Sequence, residues 1–301
     1  MNKGTIMSET LLVTGATGKL GRLVLDELLA AGKVAPSDII ATSRDTGKLA
    51  DYAAKGVQTR AADFDDAASL DAAFEGASRI LIISTDALDE PGKRLRQHLA
   101  AVAAAKKAGA KHILYTSMPN PETSVIPFAP DHLGTENAIK ATGIASTILR
   151  NGWYMENLFM ALPHALSEGK WYSASGAGKL AHIARADIAR AAANALASSS
   201  AESKTYTLTG ETKHTVDEVA ALVAKITGKP LEVIHVSDEQ LAGGLKAAGL
   251  PGFIIPVVVS FDTNTREGHI DLVTADAGDL SGRTLTTLED FLAASKTVLL
   301  G

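Results

Sequence analysis

Cysteine is absent from all 301 residues. Disulfides, thiolate nucleophiles, cysteine-bound zinc and iron–sulfur clusters are excluded together. Aromatic residues are scarce, at 5% of the chain, while the hydrophobic fraction is 46%. Alanine, leucine and isoleucine fill the gap, which suits helices packed on buried strands and argues against disorder. Positive charge is not in excess: 29 Lys and Arg stand against 34 Asp and Glu, a net charge of −5. A nucleic-acid role therefore starts at a disadvantage. No stretch approaches the ~18 consecutive apolar residues of a spanning helix. The first ten residues hold no apolar core of signal-peptide length. The expectation is a soluble, cytoplasmic protein with no nucleic-acid partner and no membrane span; a homo-oligomer is left open. Met7 offers an alternative start, because the patterned sequence begins only after it.

The chain then alternates between short apolar runs and helical stretches. Strands are expected at 11–14, 38–42, 57–61, 79–84, 112–116 and 145–149. Helices are expected at 19–31, near 46–55 and 66–74, from about Pro91 to Ala108, and at 131–142. Near-continuous apolar strands separated by helices predict a parallel sheet covered on both faces. The fold class is α/β, a doubly wound parallel sheet of Rossmann type. Beyond residue 150 the pattern loosens into helices at 153–167, 187–198, 215–227 and 238–248, with strands near 205–208 and 232–236. The domain expectation is a dinucleotide-binding domain over 1–150 and a smaller α+β substrate lobe over 151–301, partly integrated with the first.

The first strand runs into Thr14-Gly15-Ala16-Thr17-Gly18-Lys19-Leu20-Gly21 and a helix follows at once. Early glycines permit a tight turn and close approach of a pyrophosphate, and Gly21 permits close helix–strand packing. The helix start offers free N–H groups and partial positive charge to phosphate. Residues Gly15 to Gly21 are thus the expected phosphate site, against the plain alternative of an ordinary turn. An NAD-specific site carries an acidic residue at the end of the second strand; here Arg44 stands there, with Lys19 nearby. An arginine can fork onto a 2′-phosphate, so NADPH is the expected cofactor, unless Arg44 is only a solvated surface charge or Asp45 takes its place. Asp63 can contact the adenine or serve as a loop or cap residue. Ser84 and Thr85 follow the fourth strand, on the edge where ligands sit in such sheets. Ser117 and Met118 end the fifth; Ser117 is a catalytic hydroxyl or a turn residue.

The glycine turn, the strand order and the serine at the end of strand five resemble the short-chain dehydrogenase/reductase superfamily. That superfamily normally carries a Tyr-x-x-x-Lys pair. The residues four places after the five tyrosines here are Gly56, Pro119, Leu158, Gly176 and Gly210. None is lysine, and the expected position reads His132-Leu133-Gly134-Thr135-Glu136. Tyrosine-based alcohol–ketone chemistry and sugar-nucleotide epimerisation are disfavoured. The departure itself is similar to the atypical, NmrA-like branch, and within it to the type-2 NADPH:quinone oxidoreductases and the triphenylmethane reductases. The markers are Val13 to Gly21, Tyr115-Thr116-Ser117, His132-x-x-x-Glu136, Leu149 to Asn157 and Arg185-Ala186-Asp187.

The resemblance implies a reductase of quinones or similar flat conjugated acceptors, using NADPH without flavin. Asn151 and Gly152 then offer amide and backbone groups to the nicotinamide carboxamide. Trp153 and Tyr154 supply flat apolar walls for the acceptor, unless they are core aromatics at a helix start. Arg185 can reach a phosphate or the acceptor, with Met118 a further acceptor contact. No catalytic residue is assigned; the candidates are His132, Tyr154 and Ser117. His132 and Glu136 share a helical face and can be an exposed pair, a proton donor or, lacking a third ligand, an incomplete metal site. No metal is expected. A non-catalytic NADP(H) sensor of the NmrA type is the rival reading, since a missing Tyr–Lys pair suits it equally.

Overall fold

A computed structural model describes residues 9–301, so the candidate start at Met7 lies outside the described residues. Backbone contacts divide the chain into two units, each discontinuous in sequence. One comprises residues 9–117, Asp131–Leu149 and Ala189–Tyr206; the other comprises Met118–Pro130, Arg150–Ile188 and Thr207–Gly301. The expected boundary at 150/151 is crossed in both directions, by residues 118–130 and by residues 189–206.

The main sheet has seven strands: β1 (Leu11–Val13), β2 (Ile39–Ser43), β3 (Gln58–Ala61), β4 (Arg79–Ile82), β5 (His112–Ser117), β6 (Ala145–Asn151) and β8 (Lys204–Leu208). Their order is β3-β2-β1-β4-β5-β6-β8. β1 pairs in parallel with β2 and β4, β2 with β3, and β4 with β5. The first helices are α1 (Lys19–Ala31), α2 (Ala50–Ala53), α3 (Ala67–Phe74), α4 (Lys93–Lys107) and α5 (Ala129–Ala141). Leu20, Val24, Leu25 and Leu28 of α1 are all buried, and each contributes roughly 1.5–3 kcal/mol by leaving water. Helix α1 stops at Gly32, whose φ of 60° is left-handed. Leu12, Ile40, Ile80 and Ile113 meet Phe74 and Tyr115 in one apolar core.

Residues 189–206 return to this unit for a polar reason. Arg79 in β4 is buried, and its guanidinium donates to the carbonyl oxygens of Ala195, Leu196 and Ser200 at 3.1, 2.8 and 3.0 Å. It thereby satisfies the last carbonyls of the helix over Arg185–Leu196. Arg190 binds Glu27 of α1 in the same unit.

In the second unit β7 (Lys170–Ser173) pairs in parallel with β9 (Glu232–His235). Its helices include α6 (Leu162–Glu168), the first turn of α7 (Arg185–Leu196), α8 (Val216–Thr227), α9 (Asp238–Ala247), α10 (Ile255–Arg266), α11 (Asp276–Ser281), α12 (Leu288–Ala294) and α13 (Lys296–Leu300). The expected helix at 153–167 is not continuous. Tyr154 is extended and bridges to Ile183, a 3₁₀ turn spans Met155–Met160, and α6 restarts beside Pro163. Proline lacks the N–H that a continuous helix needs. Met155, Leu158, Leu162 and Leu166 bury their side chains against Val219, Val223, Leu288 and Leu292. No helix among the described residues is long and apolar enough to cross a membrane.

Candidate active site

Parallel pairing puts the carboxyl ends of β1, β2, β4 and β5 on one edge of the sheet, and the glycine turn lies there. Gly15 has φ of 58°, a left-handed conformation that glycine adopts without steric cost. Ala16 N–H donates to the carbonyl of Thr42 at 3.0 Å, and Thr17 Oγ1 meets Ser43 Oγ at 3.1 Å. The turn is thereby pinned to the end of β2. A Cβ on Gly21 would stand 2.3 Å from Gly15 O, and one on Gly18 would stand 3.2 Å from the same atom. The sequence keeps this cradle open by omitting side chains. Lys19 and Arg44 are both exposed. Asp45 turns away to cap the next turn, accepting from Gly47 N–H at 3.0 Å. Asp63 accepts from the N–H of Asp65 at 3.0 Å, the local turn that its alternative reading described.

Beyond β4, Ser84 N–H donates to Thr116 Oγ1 at 2.9 Å, and Thr85 N–H donates to His98 Nε2 at 3.0 Å. His98 opens a buried polar chain. With Nε2 accepting, its proton lies on Nδ1, which meets Thr135 Oγ1 at 3.0 Å and Tyr115 Oη at 3.2 Å. Tyr115 Oη lies 2.9 Å from Nδ1 of His132, and Arg94 reaches Nε2 of the same ring at 2.9 Å. A guanidinium only donates, so His132 carries its proton on Nδ1 and gives it to Tyr115. Arg94 in turn donates to the carbonyl of Thr85 at 2.7 Å. Burial, then the charge of Arg94, lowers the pKa of His98 to about 3 and holds His132 well below its usual value. Burial pushes the Tyr115 hydroxyl upward.

The exposed pair that His132 and Glu136 suggested is therefore a buried one, 4% and 0% exposed. The helical face they share packs inward, and its polar groups find partners there. The single N–H of His132 is spent on Tyr115. Glu136 Oε1 accepts from Ser117 Oγ at 2.7 Å. No group of three or more metal-ligating side chains occurs among the described residues.

In the second unit, Asn151 Nδ2 donates to Tyr154 Oη at 3.2 Å, while its buried Oδ1 has no partner. Gly152 N–H is not offered outward: it donates to Leu208 O at 2.8 Å, and a Cβ there would stand 2.7 Å from that oxygen. Trp153 packs on Phe261 with ring centroids 4.5 Å apart. Arg185 lies over the Tyr154 ring at 4.9 Å, and its backbone N–H donates to the Glu156 carboxylate. Asp187, in the first turn of α7, is buried and accepts from Thr286 N–H at 2.8 Å. Met118 is buried with Ile126, Ala129, Phe128 and Phe261.

Trp153, Trp171, His182, His214, Phe261 and Asp262 are among the residues that line one cavity. Of the four acceptor contacts expected from the sequence, Trp153 lines it; Met118, Tyr154 and Arg185 are not among its lining residues. The other five wall residues were not singled out by sequence. The signal that could have found Trp171 is that tryptophan occurs only twice in the chain.

With the sheet and turn built this way and the Tyr–Lys pair missing, the class is the atypical branch of the short-chain dehydrogenase/reductases. The match to the NmrA-like family runs over residues 7–292, and the chain belongs to that family. Quinone oxidoreductase 2 of Escherichia coli (strain K12) is 37% identical over 278 residues, covering 92% of this chain and 96% of its own. The crystal structure of an NADPH-dependent quinone oxidoreductase from Escherichia coli, complexed with NADPH, matches with a TM-score of 0.89. Identity is 36%, over 94% of this chain and 99% of that one. The Citrobacter sp. triphenylmethane reductase complexed with NADP(H) gives 0.88 at 35% identity, over 95% and 99%.

Proposed function

We propose that the protein is an NADPH-dependent oxidoreductase that delivers a hydride to a quinone or another flat conjugated acceptor, without flavin. The observation that carries this reading is the aromatic-walled cavity, in a chain whose glycine turn is shaped for a dinucleotide. The fit to NADPH rests on the cradle that side chains at Gly18 and Gly21 would fill, and on the buried, unpartnered Oδ1 of Asn151. Gly15 to Gly21 hold the pyrophosphate through backbone N–H groups. Lys19 and Arg44 bind the 2′-phosphate. Asp63, Ser84 and Thr85 border the adenine and ribose, and Asn151 Oδ1 accepts from the carboxamide.

When bound, NADPH supplies a hydride, which with one proton from water converts a quinone to a hydroquinone. The aromatic product makes the step downhill, so no strong acid is required of the protein. This accounts for a site in which the His132 proton is bound to Tyr115 and the Ser117 proton to Glu136. The protein's task is orientation: Trp153 and Phe261, both half-buried, hold the acceptor's plane. A cytoplasmic setting, where NADPH is at hand, is consistent with this reading. Purified, flavin-free protein given 1,4-naphthoquinone is expected to oxidise NADPH over many turnovers; oxidation that stops below one equivalent would overturn the reading.

A further inference from the structure

The cavity of the second unit has a polar wall that hydride delivery alone does not require. His182 is 6% exposed, and its Nδ1 is buried without a hydrogen-bond partner; Nδ1 of His214 is in the same condition. Both rings line the cavity. The chain segments that carry them are locked together, because Leu180 and His214 exchange both backbone hydrogen bonds at 3.0 Å. Burial, and then the neighbouring His214, lowers the pKa of His182 to about 4, opposed by a hydrogen bond to the backbone of Leu180. The ring is neutral near pH 7. A neutral imidazole nitrogen presents a lone pair or an N–H according to its tautomer, and a buried one without a partner invites a ligand atom.

Asp262 also lines this cavity. Its Oδ2 accepts from Ser173 Oγ at 2.9 Å and from Ala174 N–H at 2.7 Å. Burial raises its pKa, opposed by the hydrogen bonds from Ala174 and Ser173 and then by the charge of Arg266; the Arg266 guanidinium itself is forked onto Asp238 at 2.8 Å. No lysine or arginine is among the described residues that line the cavity.

We infer that His182 and His214 receive the oxygen-bearing edge of the acceptor while Trp153, Trp171 and Phe261 hold its plane, and that Asp262 restricts the site to uncharged or cationic acceptors. This rests on the reductase reading and extends it to a docking contact and a charge class. A quinone oxygen accepts a hydrogen bond and a hydroquinone hydroxyl donates one. The His182 ring gives its N–H to the Leu180 backbone, so its Nδ1 offers a lone pair that accepts from a hydroquinone hydroxyl, while His214 can present an N–H to a quinone oxygen. An anionic acceptor would bury a charge beside a carboxylate with no cation to pair it.

The chain's two tryptophans both line this cavity, so intrinsic fluorescence reports on it directly. The full-length protein without cofactor is titrated with 1,4-naphthoquinone and with its 2-sulfonate, using N-acetyltryptophanamide to define collisional quenching. Saturable quenching is expected with naphthoquinone, and binding of the sulfonate is expected to be on the order of tenfold or more weaker. Asp262→Asn keeps an acceptor oxygen for Ala174 and should narrow that gap. His214→Phe keeps a flat ring and should weaken naphthoquinone about tenfold; if it does not fold, His214→Leu carries the same test. Quenching by naphthoquinone that never saturates overturns the site. Equal binding of both probes, or a gap unchanged in Asp262→Asn, overturns the charge rule, and unchanged naphthoquinone binding in the histidine variant overturns the docking contact. Parallel assays of NADPH oxidation separate this from the underlying reading. Turnover without saturable quenching keeps the reductase and discards this site; saturable quenching without turnover does the reverse.

Discussion

Replacing Gly21 by alanine tests the dinucleotide cradle where it is tightest. Gly21 is the third residue of α1 and is buried. Its new Cβ would stand 2.3 Å from Gly15 O and 2.9 Å from both Ala16 Cα and Gly15 C. All three are backbone atoms, so no flexible side chain can yield. Ordinary contact begins near 3.4 Å, so the start of α1 or the turn must move by about 1 Å. Overpacking of this kind costs ~1–3 kcal/mol, and each kcal/mol lowers the melting temperature by about 2–4 °C in a chain of this size class. The displaced turn also carries the N–H groups assigned to the pyrophosphate. Loss of one charge-assisted hydrogen bond is worth ~1.5–3 kcal/mol, so NADPH binding should weaken tenfold or more. Gly243→Ala is the control: it lies exposed within α9, and a Cβ there meets nothing within 4 Å. That change should be neutral or stabilise by up to ~1 kcal/mol. Thermal melts and calorimetric NADPH titrations on both variants read the difference. A Gly21→Ala protein with native melting temperature and native NADPH affinity would refute the argument.

Arg44→Ala should weaken NADPH by about tenfold or more while hardly affecting NADH; equal losses in titrations of the two cofactors would remove Arg44 from the 2′-phosphate. Trp153→Ala should lower kcat/KM for 1,4-naphthoquinone by about 10–100-fold, or ~1.4–2.7 kcal/mol, with NADPH affinity retained; native kinetics would move the acceptor elsewhere. Acid should destabilise the fold. His98, His112 and His182 are buried, with pKa lowered to about 3, 4 and 4, against ~6.5 in an unfolded chain. The unfolded state binds protons first, so this stability is complete above the unfolded value and drains as pH falls toward the folded values. The loss is about 1.4 kcal/mol per pH unit for each ring. Urea midpoints that stay level between about pH 7 and pH 5 would contradict it.

Strands β1, β2, β4 and β5 were legible because each is a short, largely apolar run between helices, and the parallel sheet buries both faces of such runs; β3, Gln58-Thr59-Arg60-Ala61, is a polar, half-exposed edge strand. Helix α1 was legible because Leu20, Val24, Leu25 and Leu28 keep its period and Gly32 ends it. The second unit was less so. Strand β7 reads Lys170-Trp171-Tyr172-Ser173, two aromatics between two polar residues with no aliphatic run to mark them, and it pairs with β9. Helix α10 was masked by Pro251, Gly252 and Pro256; Pro256 sits in its first turn, where a missing N–H costs nothing. At the site, the glycine turn announced itself by spacing. The buried histidines did not, because burial and the partner of each ring nitrogen arise from tertiary packing. His132 is four residues from Glu136 whether that face looks to water or to Tyr115.

The central claim is that this chain catalyses hydride transfer from NADPH to a quinone by itself. It is tested most directly by product stoichiometry in protein shown to be free of flavin. NADPH consumed and hydroquinone formed should agree one to one under anaerobic conditions, through many turnovers. Tight NADPH binding accompanied by no hydroquinone would contradict the account and leave a cofactor sensor in its place.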